Sequence, residues 1–312
     1  MGRRAQTTRL NLWMNGIPVG YWESGRQGHR LAYFETWLDN EQSRPLSLSL
    51  PILPGNPAHH GQTVADYFDN LLPDNDTIRR RLAQRHRVDG TDAFQLLAKL
   101  GRDCAGAIQL LPDNESPSDI QTIRGLPLDT ASLAQQLRRT TSSQALGQDD
   151  DAQDLRLSIA GAQEKTALLR HNGQWFLPQG STPTTHIFKL PLGLVGHMQA
   201  DMHTSVENEW LCSKIIAAYN IPIAHCNIAH FEDQKALVVE RFDRSLSSDE
   251  HWIIRLPQED MCQATGTSSL RKYQSEGGPG ITQIMHLLLG SEHADRDRQN
   301  FFKTQIVFWL LA

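Results

Sequence analysis

The stretch that decides the fold runs from Ser158 to Asp243. It opens on Ser158-Ile159-Ala160-Gly161-Ala162-Gln163-Glu164-Lys165. It continues through Ala167 to Arg170, His171-Asn172-Gly173-Gln174 and Trp175 to Leu177, reaches Ile187-Phe188-Lys189-Leu190, and closes on Glu240-Arg241-Phe242-Asp243. Asn-Gly supplies the positive φ angles of a tight turn, so residues 167–177 read as a β-hairpin. His186 to Leu190 reads as a further strand. Thr204-x-x-Glu207 has the spacing of a capping box, in which each side chain satisfies an orphan backbone donor. Behind it Val206, Trp210, Cys212, Ile216 and Tyr219 recur at helical intervals. Asn227 to Phe231 and Ala236 to Glu240, with a polar turn between them, make a second hairpin.

Loop, strand, strand, helix, strand, strand is the element order of the smaller lobe of a protein kinase, and the residues along it suit that chemistry. Small side chains at 160–162 let backbone N–H groups approach a phosphate. The motif is neither G-x-G-x-x-G nor a Walker A loop, and taken alone Ala-Gly-Ala is more often a tight turn than a phosphate cradle. Lys189, in a short apolar strand, can reach phosphate oxygens as a point charge, or it can lie on a solvated strand face. Glu207 and Glu209 both follow on the capped helix. A helix glutamate paired with a strand lysine holds that lysine toward nucleotide in kinases, and spacing does not choose between the two glutamates. Glu240-Arg241-Phe242-Asp243 leaves a strand where backbone groups can face an adenine edge. The plainer alternative there is a surface ion-pair cluster.

Upstream, Leu10 to Met14 followed by Asn15-Gly16 reads as strand, turn, strand. A helical tract over Asp66 to Leu72 is interrupted by Pro73. Helices are expected over Thr77 to Gln84 and over Phe94 to Leu100, the latter closed by Gly101. The region 114–154 carries Ser142-Ser143, the acidic run Asp149-Asp150-Asp151 and one expected helix at Ala131 to Arg139. It reads as a boundary. The division is a mixed α/β domain over 1–115, a linker or insert over 116–154, and an α+β second domain over 155–312. A length of 312 residues suits two domains of ordinary size.

The longest apolar run, Ile306 to Ala312, has seven residues, far short of the about 20 that cross a membrane. The basic N-terminus lacks the apolar stretch of a secretory signal, and Gln6 fails the myristoylation pattern. Cys104, Cys212, Cys226 and Cys262 show no C-x-x-C spacing, so reduced thiols in a cytoplasmic protein are expected. A formal charge of −5 argues against a chain that coats nucleic acid along its length, though not against a local basic patch. His225, Cys226 and His230 lack a fourth partner at zinc-site spacing. Asp69 and Asp74 read as a helix cap and an exposed turn rather than paired catalytic carboxylates. His293 to Asn300 has the spacing H-x-D-x-x-x-x-N of a kinase catalytic loop. No aspartate follows it, and its charges read as the opening turn of a helix.

Taken together, the sequence resembles the HipA family of bacterial toxin–antitoxin serine/threonine kinases along nearly its whole length. In the first domain the resemblance rests on Arg44-Pro45-Leu46-Ser47-Leu48-Ser49-Leu50-Pro51, Phe68-Asp69-Asn70-Leu71-Leu72-Pro73-Asp74 and Gly101-Arg102-Asp103. In the second it rests on Ser158 to Lys165, Pro183 to Pro191, Val239-Glu240-Arg241-Phe242-Asp243-Arg244, Leu256 to Gln263 and the turn Gly277-Gly278-Pro279-Gly280. It implies a protein-kinase-like (PI3/4-kinase-like) N-lobe with ATP and Mg²⁺ as cofactors. Ala160, Gly161, Ala162, Gln163, Glu164 and Lys165 would form the phosphate loop, with Lys189 on the ATP phosphates. Glu240, Arg241 and Phe242 would form the adenine hinge. Ser158 would be the self-phosphorylation site, where added charge ejects the loop, and Gly193 to His203 the activation segment. The resemblance further implies a HipB-like helix-turn-helix antitoxin dimer as partner, operator DNA reached through that complex, and a translation factor of the aminoacyl-tRNA synthetase class as substrate. Growth arrest and persistence would follow.

In the family, a helix resembling Phe301 to Leu311 leads into the loop that carries the catalytic base and the metal ligands. Those groups are expected beyond Ala312, with no metal ligand within the chain and most of the helical C-lobe missing. The chain by itself is therefore expected to be inactive in phosphotransfer. The apolar end Ile306 to Leu311, without cap or polar finish, is expected to expose surface that such a lobe covers. The alternative readings are a non-catalytic module that holds the antitoxin, and a two-domain α+β protein with a small ligand of another kind.

Overall fold

The computed structural model describes residues 8–141, 159–161, 163–195 and 199–311. Two antiparallel sheets organise it. The first is built from β1 (Arg9–Met14), β2 (Ile17–Gly25), β3 (Gly28–Tyr33), β4 (His59–His60) and β5 (Ile108–Pro112), in the order β4-β3-β2-β1-β5. Asn15 and Gly16 adopt the positive φ angles their types favour, and Met14 pairs with Ile17 across them. Leu10, Leu12 and Met14 alternate with less buried neighbours, which puts one face of β1 in the core. Helices α1 (Glu35–Leu38), α2 (Gln62–Asp69), α3 (Asp76–Arg85) and α4 (Ala93–Leu100) complete this half. Trp22 anchors it, with Phe68 stacked at 4.0 Å between ring centroids and Phe94 edge-on at 4.8 Å.

The second sheet takes β6 (Gly125–Leu128), β7 (Lys165–His171), β8 (Gln174–Pro178), β9 (His186–Lys189), β12 (Cys226–Phe231) and β13 (Gln234–Glu240) in the order β12-β13-β9-β7-β8-β6. Asn172 and Gly173 form the expected turn, with His171 paired to Gln174. Between β9 and β12 stand the hairpin β10 (Gly193–Val195) with β11 (Ala200–Met202), and α6 (Ser205–Ala218). The chain continues through a hairpin of β14 (Arg244–Leu246) and β15 (Ile253–Arg255), then α7 (Met261–Thr265), α8 (Ile281–Leu287) and α9 (Ala294–Leu311). Val307 of α9 packs on Ile216 and Ile221, while Phe302, Phe308, Trp309 and Leu310 of the same helix are exposed.

Two sequence expectations change. The expected linker 116–154 is not a linker over 125–141. There β6 extends the second sheet on β8, and Leu133, Ala134 and Leu137 of α5 (Thr130–Thr141) pack with Leu168, Phe188 and Val238. The helix expected at Ala131 to Arg139 is present, and its own residues do not show that it packs against the second sheet. Residues 142–158 lie outside the described set. The capping box also does not form. Thr204 is at the N-cap without a side-chain hydrogen bond, and Glu207 instead pairs with Lys235 of β13.

The two halves meet through buried charge. Asp103, from the loop between α4 and β5, accepts from Arg244 at 2.9 Å and from the N–H and hydroxyl of Thr184 at 2.9 and 2.7 Å. Arg241 and Arg255 stand at 3.4 and 3.5 Å from it. Asp243 binds Arg241 and accepts from the Gly106 N–H, each at 2.7 Å. Burial alone would raise the Asp103 carboxyl, but the guanidiniums of Arg244, Arg241 and Arg255 outweigh it and hold it well below the usual range. Asn15 adds a two-way bond with the backbone of Arg255, 2.9 Å each way. Replacing Asp103 by Ala leaves three buried guanidiniums short of a counter-charge. Urea unfolding should show a loss of about 3–5 kcal/mol, and an unchanged midpoint would show that the network carries no stability.

Candidate functional site

The central strands of the second sheet bring two of the expected residues together. Lys165 begins β7, Lys189 ends β9, and the two are directly opposed in register. Directly opposed residues of an antiparallel pair project from the same face, so two ammonium groups share one surface. Phe188, between them in the alternation, points to the other face and packs with α5. Lys189 pairs with Glu209 of α6. The choice that spacing left open is thereby made, because Glu209 takes Lys189 and Glu207 takes Lys235.

Among the described residues no carboxylate forms an ion pair with Lys165. Its ammonium donates to the Ala160 carbonyl, which folds the small-residue loop back over the strand. Gly161 sits at φ +114°, and a Cβ there would stand 2.4 Å from the Lys165 Nζ, so glycine serves both the conformation and the close approach. Burial, then the neighbouring Lys189 ammonium, push Lys165 down to about 8, against the opposing pull of Asp74 and Glu209. Gln163 donates to the Leu190 carbonyl, and Glu164 pairs with Arg81 of α3. Burial raises the Glu164 carboxyl and Arg81 offsets part of it. A cavity of about 70 Å³ lies behind the loop, between α3 and α5. Ala162 and Ser158 lie outside the described residues.

The end of β13 divides the expected hinge residues. Glu240 and Phe242 are exposed, Phe242 to 70%. Arg241 is turned the other way: its N–H donates to the Thr185 carbonyl at 2.9 Å and its guanidinium is buried in the interdomain network. The local sequence showed an ion-pair cluster here. Whether it was surface or buried depended on Asp103, some 140 residues away in sequence.

Other sequence expectations sort themselves as follows. Asp69 and Asp74 are interdomain ties rather than a cap and a free turn, Asp69 to Arg79 and Ser269, Asp74 to Lys272. Their partners beyond residue 260 gave no local signal. His293 to Asn300 runs from a turn into α9 and is not a loop. Among the described residues no group of three or more His, Cys, Asp or Glu is placed to hold a metal ion. None of the helices described is long and apolar enough to cross a membrane.

Family comparison bears directly on this arrangement. The HipA-like C-terminal domain matches residues 157–312, and the HipA N-terminal domain matches residues 10–111. The chain belongs to the HipA family. A protein of Sinorhizobium fredii described as putative kinase Y4mE is 36% identical over 283 residues, spanning 89% of this chain and 64% of its own length. The serine/threonine-protein kinase toxin HipA of Shewanella oneidensis is 27% identical over 278 residues, spanning 88% of this chain and 59% of its own length. The chain thus spans less than two thirds of these curated relatives. The solved complex of Shewanella oneidensis HipA with HipB and its operator DNA has the same fold. Its TM-score is 0.73 at 23% identity, covering 96% of this chain and 68% of that one.

If the lysine pair receives an anion, its binding would depend on pH. A polyphosphate paired with Lys165 would raise the ammonium from about 8, so its binding would take up a proton above that pH. Titration of tripolyphosphate, read as the difference between wild type and Lys165→Met so that the ligand's own ionisation cancels, should show a Lys165-dependent fall of up to about tenfold per pH unit above about pH 8. Lys165→Met should flatten the profile. An unaltered slope in that variant would remove Lys165 from the site.

Proposed function

We propose that the second half of the chain is the nucleotide-binding lobe of a HipA-type serine/threonine kinase toxin. The observation that carries this reading is the opposed pair Lys165 and Lys189, with Glu209 orienting the second. Two like charges on one sheet face repel, and a polyphosphate is the ligand that relieves them. Bound ATP would supply the γ-phosphoryl group. Of the chain's own residues, Lys189 would meet phosphate oxygens as a point charge held in place by Glu209. Lys165 would hold the loop of Ala160, Gly161, Ala162, Gln163 and Glu164 against those phosphates. Glu240 and Phe242 would offer the adenine edge at the end of β13, while Arg241 would set their position from behind. No catalytic base is assigned among the described residues, and Mg²⁺ is given no ligands there.

The rest of the reading follows the family. The substrate is proposed to be a translation factor of the aminoacyl-tRNA synthetase class. Ser158 is proposed as the self-phosphorylation site, where a dianionic group beside a phosphate loop would compete for it. A HipB-like helix-turn-helix antitoxin dimer is the proposed partner in the cytoplasm, with operator DNA contacted through it. The fold shared with a HipA that was solved with HipB and operator DNA supports this choice.

Calorimetry with a non-hydrolysable ATP analogue tests the central claim. The folded protein should bind it, and Lys189→Ala should weaken binding about tenfold or more, as loss of a charge-assisted contact does. Adenosine alone should be affected much less. A demonstrably folded protein that gives no heat with the analogue would overturn the nucleotide reading.

A further inference from the structure

The loop from Ile159 to Glu164 is not held by its own domain alone. We propose that the N-terminal domain positions this loop through α3, with Arg81 as the positioning residue acting on Glu164. The proposal rests on the nucleotide reading above and gives the first domain a part in it.

The geometry begins at the start of α3. Asn75 caps the helix, accepting from the N–H groups of Thr77 and Ile78 at 2.8 and 3.2 Å. Arg79 clasps Asp69 through both its terminal nitrogens, at 2.7 and 3.0 Å, and its Nε donates to the Pro73 carbonyl. The turn before the helix is therefore fixed. From that turn the Asp74 N–H donates to the Gly161 carbonyl at 3.3 Å, and the Asp74 side chain pairs with Lys272. Within the helix Ile78 and Arg81 are three residues apart, which places them along one side. Arg81 reaches Glu164 there, and both side chains are largely withdrawn from solvent.

What lies behind the loop makes these ties decisive. The 70 Å³ cavity is bordered by Ile78 and Leu82 of α3, Gln136 of α5, and Ile159 and Thr166 of the loop and strand. Across that gap two polar ties reach the loop, one from the Asp74 N–H to the Gly161 carbonyl and one from Arg81 to Glu164. The ion pair also neutralises the Glu164 carboxylate, which would otherwise stand beside an incoming polyphosphate as a like charge. Loss of Arg81 should therefore both loosen the loop and disfavour phosphate.

Hydrogen exchange read by mass spectrometry on the full chain, without nucleotide, gives the first test. Arg81→Met should raise exchange in peptides covering 159–166 about three- to tenfold, with peptides from β1 and α4 unchanged. The charge swap Arg81→Glu with Glu164→Arg should restore protection, a rescue that a purely packing role would not give. Titration then gives the second: Arg81→Met should bind the ATP analogue about tenfold more weakly and adenosine about as before. Should Arg81→Met fail to fold, Arg81→Lys replaces it, with the same effects in reduced size. Unchanged exchange at 159–166, or unchanged affinity for the analogue, would overturn the positioning role. If exchange responds as expected while the wild-type chain binds no analogue, the α3 tie stands and the nucleotide reading falls.

Discussion

Asp103 is surrounded by three guanidiniums in a place from which solvent is excluded, and the relation between the two halves of the molecule depends on it. Desolvating five charged groups is costly, and only their mutual contacts together with the Thr184, Cys104 and Gly106 backbone bonds offset that cost. Such a cluster balances its charges in one arrangement, with the Arg244 and Arg255 Nε atoms left without partners, and is strongly unfavourable in others. It ties the loop before β5 to the end of β13 and to β15. The exposed residues Glu240 and Phe242 thus take their position from a domain that does not belong to their own sheet.

The second constraint is the opposite case, charge left partly uncompensated. Lys165 and Lys189 face one another across two strands, and the helix supplies a carboxylate to only one of them. Glu207 and Glu209 are two residues apart on α6, so they project in different directions and cannot both serve the same strand. One goes to β9 and one to β13. The remaining positive charge sits under a loop whose glycine permits the lysine to come close. A surface so arranged suits an anion with several charges better than a neutral ligand.

Much of this was readable from local residues. Asn15-Gly16 and Asn172-Gly173 specified two hairpins because few other pairs tolerate those backbone angles. The run of ordered motifs from Arg44 to Gln263 indicated the family. Other features were misread for a common reason. Asp69 reads as a cap and Asp74 as an exposed turn because Ser269 and Lys272, which tie them to the second half, lie about 200 residues away. The segment 125–141 looked like a linker because its role depends on β8 and Phe188 being present to receive it. Glu207 had the right spacing for a cap, but Lys235 offered an ion pair instead.

Sequence alone determined where the Asn-Gly turns fall, which strands flank them, and that helices follow over α3 and α4. These follow from backbone preferences and short-range spacing, which each residue carries with it. Tertiary structure alone decided which glutamate takes Lys189, that Arg241 turns into the buried charge network, and that α3 of the first domain reaches Glu164 of the second. A charged side chain is chosen by whichever opposite charge the fold brings within reach, and that distance is not written in any local stretch of the chain.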